Sequence, residues 1–198
     1  MSKATRTIDI VVERKPGLYF AQVLGDEDVS AIGVTRSGAV DAVRELAVRV
    51  LQHYPGHFAE REGALVVRHL RFSLPATRMG RMRQLELYIL AVCEQVERGH
   101  RVELPQLGMR FEVKSLDELE VITSEHIRDR YGLEQRLVAL LDCARPLTDE
   151  VDGDVVPRFE LQRVAVRYKV EPASAETDEL DEAPTLSAVG EPLHHRLR

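Results

Sequence analysis

Within sixteen residues the chain gathers Arg68, His69, Arg71, Arg78, Arg81 and Arg83, the last three in the segment Ala76-Thr77-Arg78-Met79-Gly80-Arg81-Met82-Arg83. Arginines collected on a hairpin loop can neutralise several phosphates and release their counterions. The same loop suits a protein surface, because Met79 and Met82 are adaptable apolar contacts. Arg78, Met79, Arg81, Met82 and Arg83 are therefore the candidate partner-binding residues. A net charge of −6, no Trp and 5% aromatic residues leave little for base stacking. Another protein, in a homo-oligomer or a larger complex, is thus the expected partner, with a nucleic-acid-binding role for residues 68–83 as the alternative.

Other chemistry is tested and set aside. Gly17, Gly25, Gly33 and Gly38 are too scattered for a phosphate loop, and none precedes a Lys-Ser/Thr step. His53 and His57 have the four-residue spacing of metal ligands on a helix, but Pro55-Gly56 between them breaks the helix. Asp149-Glu150-Val151-Asp152-Gly153-Asp154 has an acidic loop's composition, yet Val151 stands where calcium needs an oxygen and Gly153 comes one position early. Glu94, Glu97 and Glu103 could supply carboxylates, but nothing in the sequence buries a pair together, so they read as charges on strand faces. Cys93 and Cys143 sit in apolar settings and read as buried, reduced thiols. No catalytic centre, metal or cofactor is expected.

The elements that must hold these residues follow from periodicity. Thr7–Val12 alternates as a strand, Lys15-Pro16-Gly17 turns it, and Leu18–Leu24 returns. After Gly25–Asp28, residues 29–34 form a third strand. From Ser37 to about Gln52 the period changes: Val40, Val43, Leu46, Ala47 and Val50 make one apolar stripe of a helix, capped by Thr35 or Ser37. Leu65–Leu74 is a strand closed by Pro75. Leu85–Val96, Arg101–Leu104 and Met109–Val113 are strands separated by turns at Arg98-Gly99 and Pro105–Gly108. Ser115 and Glu118 form a capping box for a helix carrying Leu116, Leu119, Ile122, Ile127 and Tyr131. Leu133–Cys143 is a second helical stretch stopped by Pro146, Thr148–Asp154 is a loop, and Phe159–Val170 is the last strand.

The order strand, strand, strand, helix, strand thus occurs twice, in residues 8–74 and 86–170. The fold class expected is α+β, with two related βββαβ units at residues 1–75 and 84–170, each an antiparallel sheet with a helix on one face. Residues 171–198 hold seven acids against Arg196 and Arg198 and follow no apolar period, so a disordered acidic tail is expected. No run approaches the roughly 18 apolar residues of a membrane span, and residues 1–6 lead straight into a strand, so a cytoplasmic protein without a leader is expected.

The first half, with Gly17-Leu18-Tyr19 on its second strand and Gly33-Val34-Thr35 entering the helix, resembles the HicB-like fold of bacterial antitoxins. Arg36, Ser37 and Gly38 stand where that family carries acids, and residues 171–198 offer no counterpart to its DNA-binding tail. What the resemblance implies is a non-enzymatic protein-binding module of a bacterial multiprotein system. It suits an adaptor or accessory subunit better than a repressor.

Overall fold

The computed structural model describes residues 2–61, 63–78, 81–131, 137–151 and 153–170. Strand β1 (Ser2–Lys15) turns at Pro16-Gly17, where Gly17 holds φ at 75°, and returns as β2 (Leu18–Val23). After β3 (Asp26–Gly33) comes helix α1 (Arg36–His53). Its N-cap is Thr35, whose hydroxyl accepts from the Gly38 amide at 3.1 Å, and Tyr54 ends it ahead of Pro55. Four strands follow: β4 (Leu65–Arg78), β5 (Arg81–Val96), β6 (Gly99–Leu104) and β7 (Met109–Val113). Ser115 then opens a short 3₁₀ turn that runs into α2 (Leu119–Tyr131). Its hydroxyl accepts from the Asp117 amide at 3.2 Å, and the Glu118 amide donates to its carbonyl. A 3₁₀ segment, Leu137–Ala144, precedes the hairpin β8 (Thr148–Val151) and β9 (Asp154–Pro157), and β10 (Phe159–Val170) comes last.

The chain is a mixed α+β protein with antiparallel sheets. The first sheet has the order β10-β1-β2-β3 and the second β4-β5-β6-β7. They stack face to face between two helical layers. On β1, Ile8, Ile10 and Val12 pack against Val43, Ala47 and Leu51 of α1. The alternate residue Val11 points the other way, into a cluster with Leu24, Leu90, Val92, Leu147 and Phe159 between the sheets. On β5, Leu87, Ile89, Ala91 and Cys93 face Leu119 and Ile127 of α2 and Leu140 and Cys143 of the 3₁₀ segment. The central strands are therefore buried on both faces, which is why residues 87–93 are almost continuously apolar.

The strand after each helix joins the other helix's sheet. β4 pairs with β5 and not with β1–β3, while β10 pairs along β1 from Ser2↔Val170 to Glu13↔Phe159. The sheets thus cut across the expected division at residues 1–75 and 84–170. A three-stranded sheet leaves unpaired edges, and pairing across the halves covers one in each. Residues 54–64, between α1 and β4, can readily span the roughly 10 Å separating stacked sheets.

Three local expectations change. β4 does not close at Pro75 but continues to Arg78, with Pro75 opposite Gln84. This is tolerated because β4 is an edge strand, where a missing N–H breaks no inner ladder. The stretch expected as a helix at Leu133–Cys143 is 3₁₀ over Leu137–Ala144; residues 132–136 lie outside the described residues. Its end is held by Arg158, which donates to the carbonyls of Asp142 (3.1 Å) and Arg145 (3.2 Å). The supposed loop Thr148–Asp154 is mostly hairpin, pairing Thr148↔Pro157 through Val151↔Asp154.

Candidate functional site

The arginine cluster sits on a strand ribbon rather than a loop. β5 pairs with β6 only over Val92–Val96, whereas its pairing with β4 runs out to Arg78↔Arg81. Among the described residues, 81–91 of β5 consequently have β4 as their only strand neighbour. The Gln106 side chain stands in for a missing strand at one point, accepting from the Leu90 amide at 2.7 Å and donating to the Tyr88 carbonyl at 3.1 Å. Phe72 and Leu85 are the outermost side chains packed on the α2-side core among the described residues. Beyond them Ser73–Arg78 and Arg81–Gln84 carry the ribbon on by about 17 Å at strand rise.

Register places the candidate residues. Arg78 is opposite Arg81, Ala76 opposite Arg83, and Thr77 opposite Met82. Met79 lies outside the described residues. Arg68 and His69, farther down β4, are exposed. Arg71, also exposed, donates to both oxygens of Glu86 at 2.9 Å, and the Tyr88 hydroxyl joins them at 2.9 Å. The hydrogen bond from Arg71, seconded by that from Tyr88, holds the Glu86 carboxyl below its ordinary range.

A second constellation lies between the sheets and overturns the reading of the glutamates. Glu94 and Glu103 are both buried, as is Asp9 of β1, while Glu97 is exposed. Arg61, from the connection between α1 and β4, reaches all three: Glu103, Glu94 at 3.4 Å and Asp9 at 4.0 Å. It also donates to the Leu24 carbonyl at 3.1 Å. Each carboxylate has a further cation nearer solvent: Arg163 on Asp9 (2.9 Å), Arg101 on Glu94 (3.3 Å) and Arg110 on Glu103 (3.1 Å). Three carboxylates and four guanidiniums leave one positive charge in excess.

Diagonal neighbours on β5 and β6 bring the glutamates together, since Glu94 is opposite Arg101 and Glu103 opposite Val92. The available signal was the apolar run on both faces of Leu87–Cys93, which requires its continuation at Glu94 to be buried as well. Every buried carboxylate here is matched by guanidinium donors, which stay charged at any working pH. The cluster therefore offers no proton donor matched to an acceptor. What it does is lock the two sheets in register.

The same logic recurs at the other end of the interface. Arg158, 1% exposed, donates to Glu13 through Nε at 2.9 Å and through its terminal nitrogen. Lys15 lies 3.4 Å from that carboxylate. Arg14 and Arg145 both bind Asp149, so the first acid of the acidic stretch 149–154 serves ion pairs; Asp152 lies outside the described residues. His57 approaches Asp26 at 2.6 Å, and both line a cleft of about 280 Å³ together with Asp9, Arg61 and Arg110. His53 remains on the last turn of α1. Among the described residues no cluster of His, Cys, Asp or Glu is arranged to hold a metal, and no helix is long and apolar enough to cross a membrane. Cys93 and Cys143 are free and buried, and burial pushes the Cys143 thiol up to about 12.

Comparison with known proteins finds no family model, no curated protein and no solved structure that matches the chain.

Proposed function

We propose that the protein is a non-enzymatic interaction component that presents the β4–β5 ribbon to an acidic surface of another protein. One observation carries this reading: Arg78 and Arg81 are cross-strand partners at the far end of the β4–β5 pairing. Like charges placed directly opposite destabilise a hairpin by a few tenths of a kcal/mol to about 1 kcal/mol. Arg83, two residues farther along β5, adds a third positive charge to the ribbon, so an anionic partner is the natural source of compensation. Met82, between Arg81 and Arg83, offers an apolar contact to such a partner.

The HicB-like resemblance supports an accessory role in a bacterial multiprotein system, inside the cytoplasm. In the same reading the two halves are related βββαβ units that have exchanged their last strands. The shared element order around α1 and α2 supports this, as does the matching place of β1 and β5, each second in its sheet.

The register also favours a second reading. Three arginines at the end of one two-stranded ribbon could follow a phosphate backbone, making the chain a nucleic-acid-binding regulator. Replacing Arg78, Arg81 and Arg83 together by Ser separates the readings. A stoichiometric protein partner, captured by the native chain in the presence of nuclease and lost with the triple variant, supports the first. RNA or DNA binding that falls steeply with salt and is lost in the triple variant supports the second. Undiminished capture of the partner by the triple variant refutes the ribbon as the contact.

A further inference from the structure

Between the two sheets opens a cleft of about 580 Å³, within the usual size range of a small-molecule site. Its floor comes from three neighbouring strands of the first sheet: Glu13 and Lys15 on β1, Phe20 and Gln22 on β2, Glu27 and Asp28 on β3. Opposite lies the 3₁₀ turn Pro105–Leu107 that joins β6 to β7. Asp142 stands at the β1 end, 3.5 Å from Lys15.

At that end the charges are matched. Arg158 donates to Glu13, and the Lys15 ammonium lies 3.4 Å from the same carboxylate and 5.7 Å from the centre of the Phe20 ring. An ammonium between two carboxylates and over an aromatic face is thus a group this cleft already holds. At the β3 end the anions stand alone. Glu27 and Asp28 are exposed and form no ion pair among the described residues. The Glu27 carboxylate lies against Gly108, where an added Cβ would collide with it, so it reaches the far wall. Among the described lining residues, four carboxylates against Lys15 and Arg158 leave two negative charges over.

A nearly buried polar group points to a guest independently of the charges. Gln22 is 9% exposed, and its side-chain nitrogen donates to the Pro105 carbonyl at 3.2 Å. Its side-chain oxygen accepts from nothing among the described residues, although such oxygens are ordinarily paired. An ammonium is all donor and no acceptor, so it satisfies that oxygen and the carboxylates together.

The spacing selects the shape of the guest. β1 and β3 flank β2, so the two charged ends are about 10 Å apart at the separation of neighbouring strands. Phe20 lies between them and Leu107 opposite, which makes the middle apolar. We propose that the cleft binds a linear aliphatic diamine. One ammonium donates to Glu27, Asp28 and the Gln22 side-chain oxygen, the methylene chain lies over Phe20, and the second ammonium lies beside Asp142. The site makes no use of the arginine ribbon, so it stands whichever partner the ribbon takes.

Titration of the full chain with 1,4-diaminobutane at low ionic strength, read from backbone amide signals, tests this. Saturable shifts at residues 18–30 and 105–109 are expected. Butylamine, the monoamine of equal chain length, should bind at least tenfold more weakly. Glu27→Gln/Asp28→Asn changes two exposed positions and should weaken the diamine at least tenfold. The acids of residues 171–198 attract any cation, and Glu179→Gln/Asp181→Asn removes equal charge there. That control should keep the affinity within twofold. Equal affinity for the two amines, shifts confined to residues 171–198, or equal losses in the two double variants overturn the proposal. A capped peptide with two lysines carries the same charge as the diamine. Its tighter binding at the same signals also overturns the proposal, because the guest is then a basic segment of another protein.

Discussion

Removing Arg61 should loosen the two sheets more than any surface change. In Arg61→Ala, Glu94, Glu103 and Asp9 lose their shared cation, and the Leu24 carbonyl loses a donor. Breaking a buried ion pair by deleting one partner costs about 3–5 kcal/mol. The lower end applies, because Arg163, Arg101 and Arg110 remain on the three carboxylates. Their help is limited: side-chain exposures of 49%, 35% and 50% let solvent screen them. A loss of about 3 kcal/mol follows. With a urea slope of about 2 kcal/mol per molar, the midpoint should fall by about 1.5 M at unchanged slope. Arg61→Lys should recover less than half of the loss, since one ammonium cannot serve three carboxylates as a planar fork does. Arg44→Ala, whose pair with Asp41 is exposed, is the control and should cost under about 0.5 kcal/mol. A loss below about 1 kcal/mol for Arg61→Ala would refute the idea that Arg61 pins the sheets.

Other expectations concern groups far from that pin. The Cys143 thiol, raised to about 12 in the folded chain, should resist iodoacetamide at pH 8 and react once urea unfolds the protein. The unfolded thiol ionises near about 8.5, so the unfolded state gives up its proton first and stability must fall as pH rises above that value. Urea titrations at rising alkaline pH should show this group contributing at most about 1.4 kcal/mol per unit. Gly99→Ala should cost about 2–3 kcal/mol, because its φ is 129° and an added Cβ would stand 2.2 Å from the Val113 carbonyl oxygen. Gly17→Ala meets nothing within 4 Å and should cost only the backbone strain, about 1 kcal/mol. Calorimetry of the two variants makes the comparison.

Local signals carry much of the secondary structure. Alternation marks Thr7–Val12, the Pro16-Gly17 turn needs its glycine, and Thr35 caps α1 as its position implies. Such features depend on neighbours within four residues. What is not legible depends on residues far apart. That β4 joins β5, and β10 joins β1, is a choice between edges that look alike locally. The charged interface is hidden for a related reason: Glu94 and Glu103 read as exposed until Arg61, more than thirty residues upstream, arrives between the sheets. Composition alone finds the candidate arginines, but their cross-strand pairing emerges only because Pro75 lies inside a strand and the register runs on to Arg78↔Arg81. Pro75 reads as a terminator because its missing N–H excludes an inner strand; it does not exclude an edge.

The pairing of Ser2 with Val170 has a mechanical consequence. These residues are the outer ends of two antiparallel strands, so a pull applied there acts across the strands, along the direction of their hydrogen bonds. The ladder would unzip rung by rung from Ser2↔Val170 toward Glu13↔Phe159, at low force and without the abrupt peak of strands dragged lengthwise. A protease or translocase gripping either terminus would therefore begin by stripping β10 from β1, baring the edge of the first sheet while the second still stands.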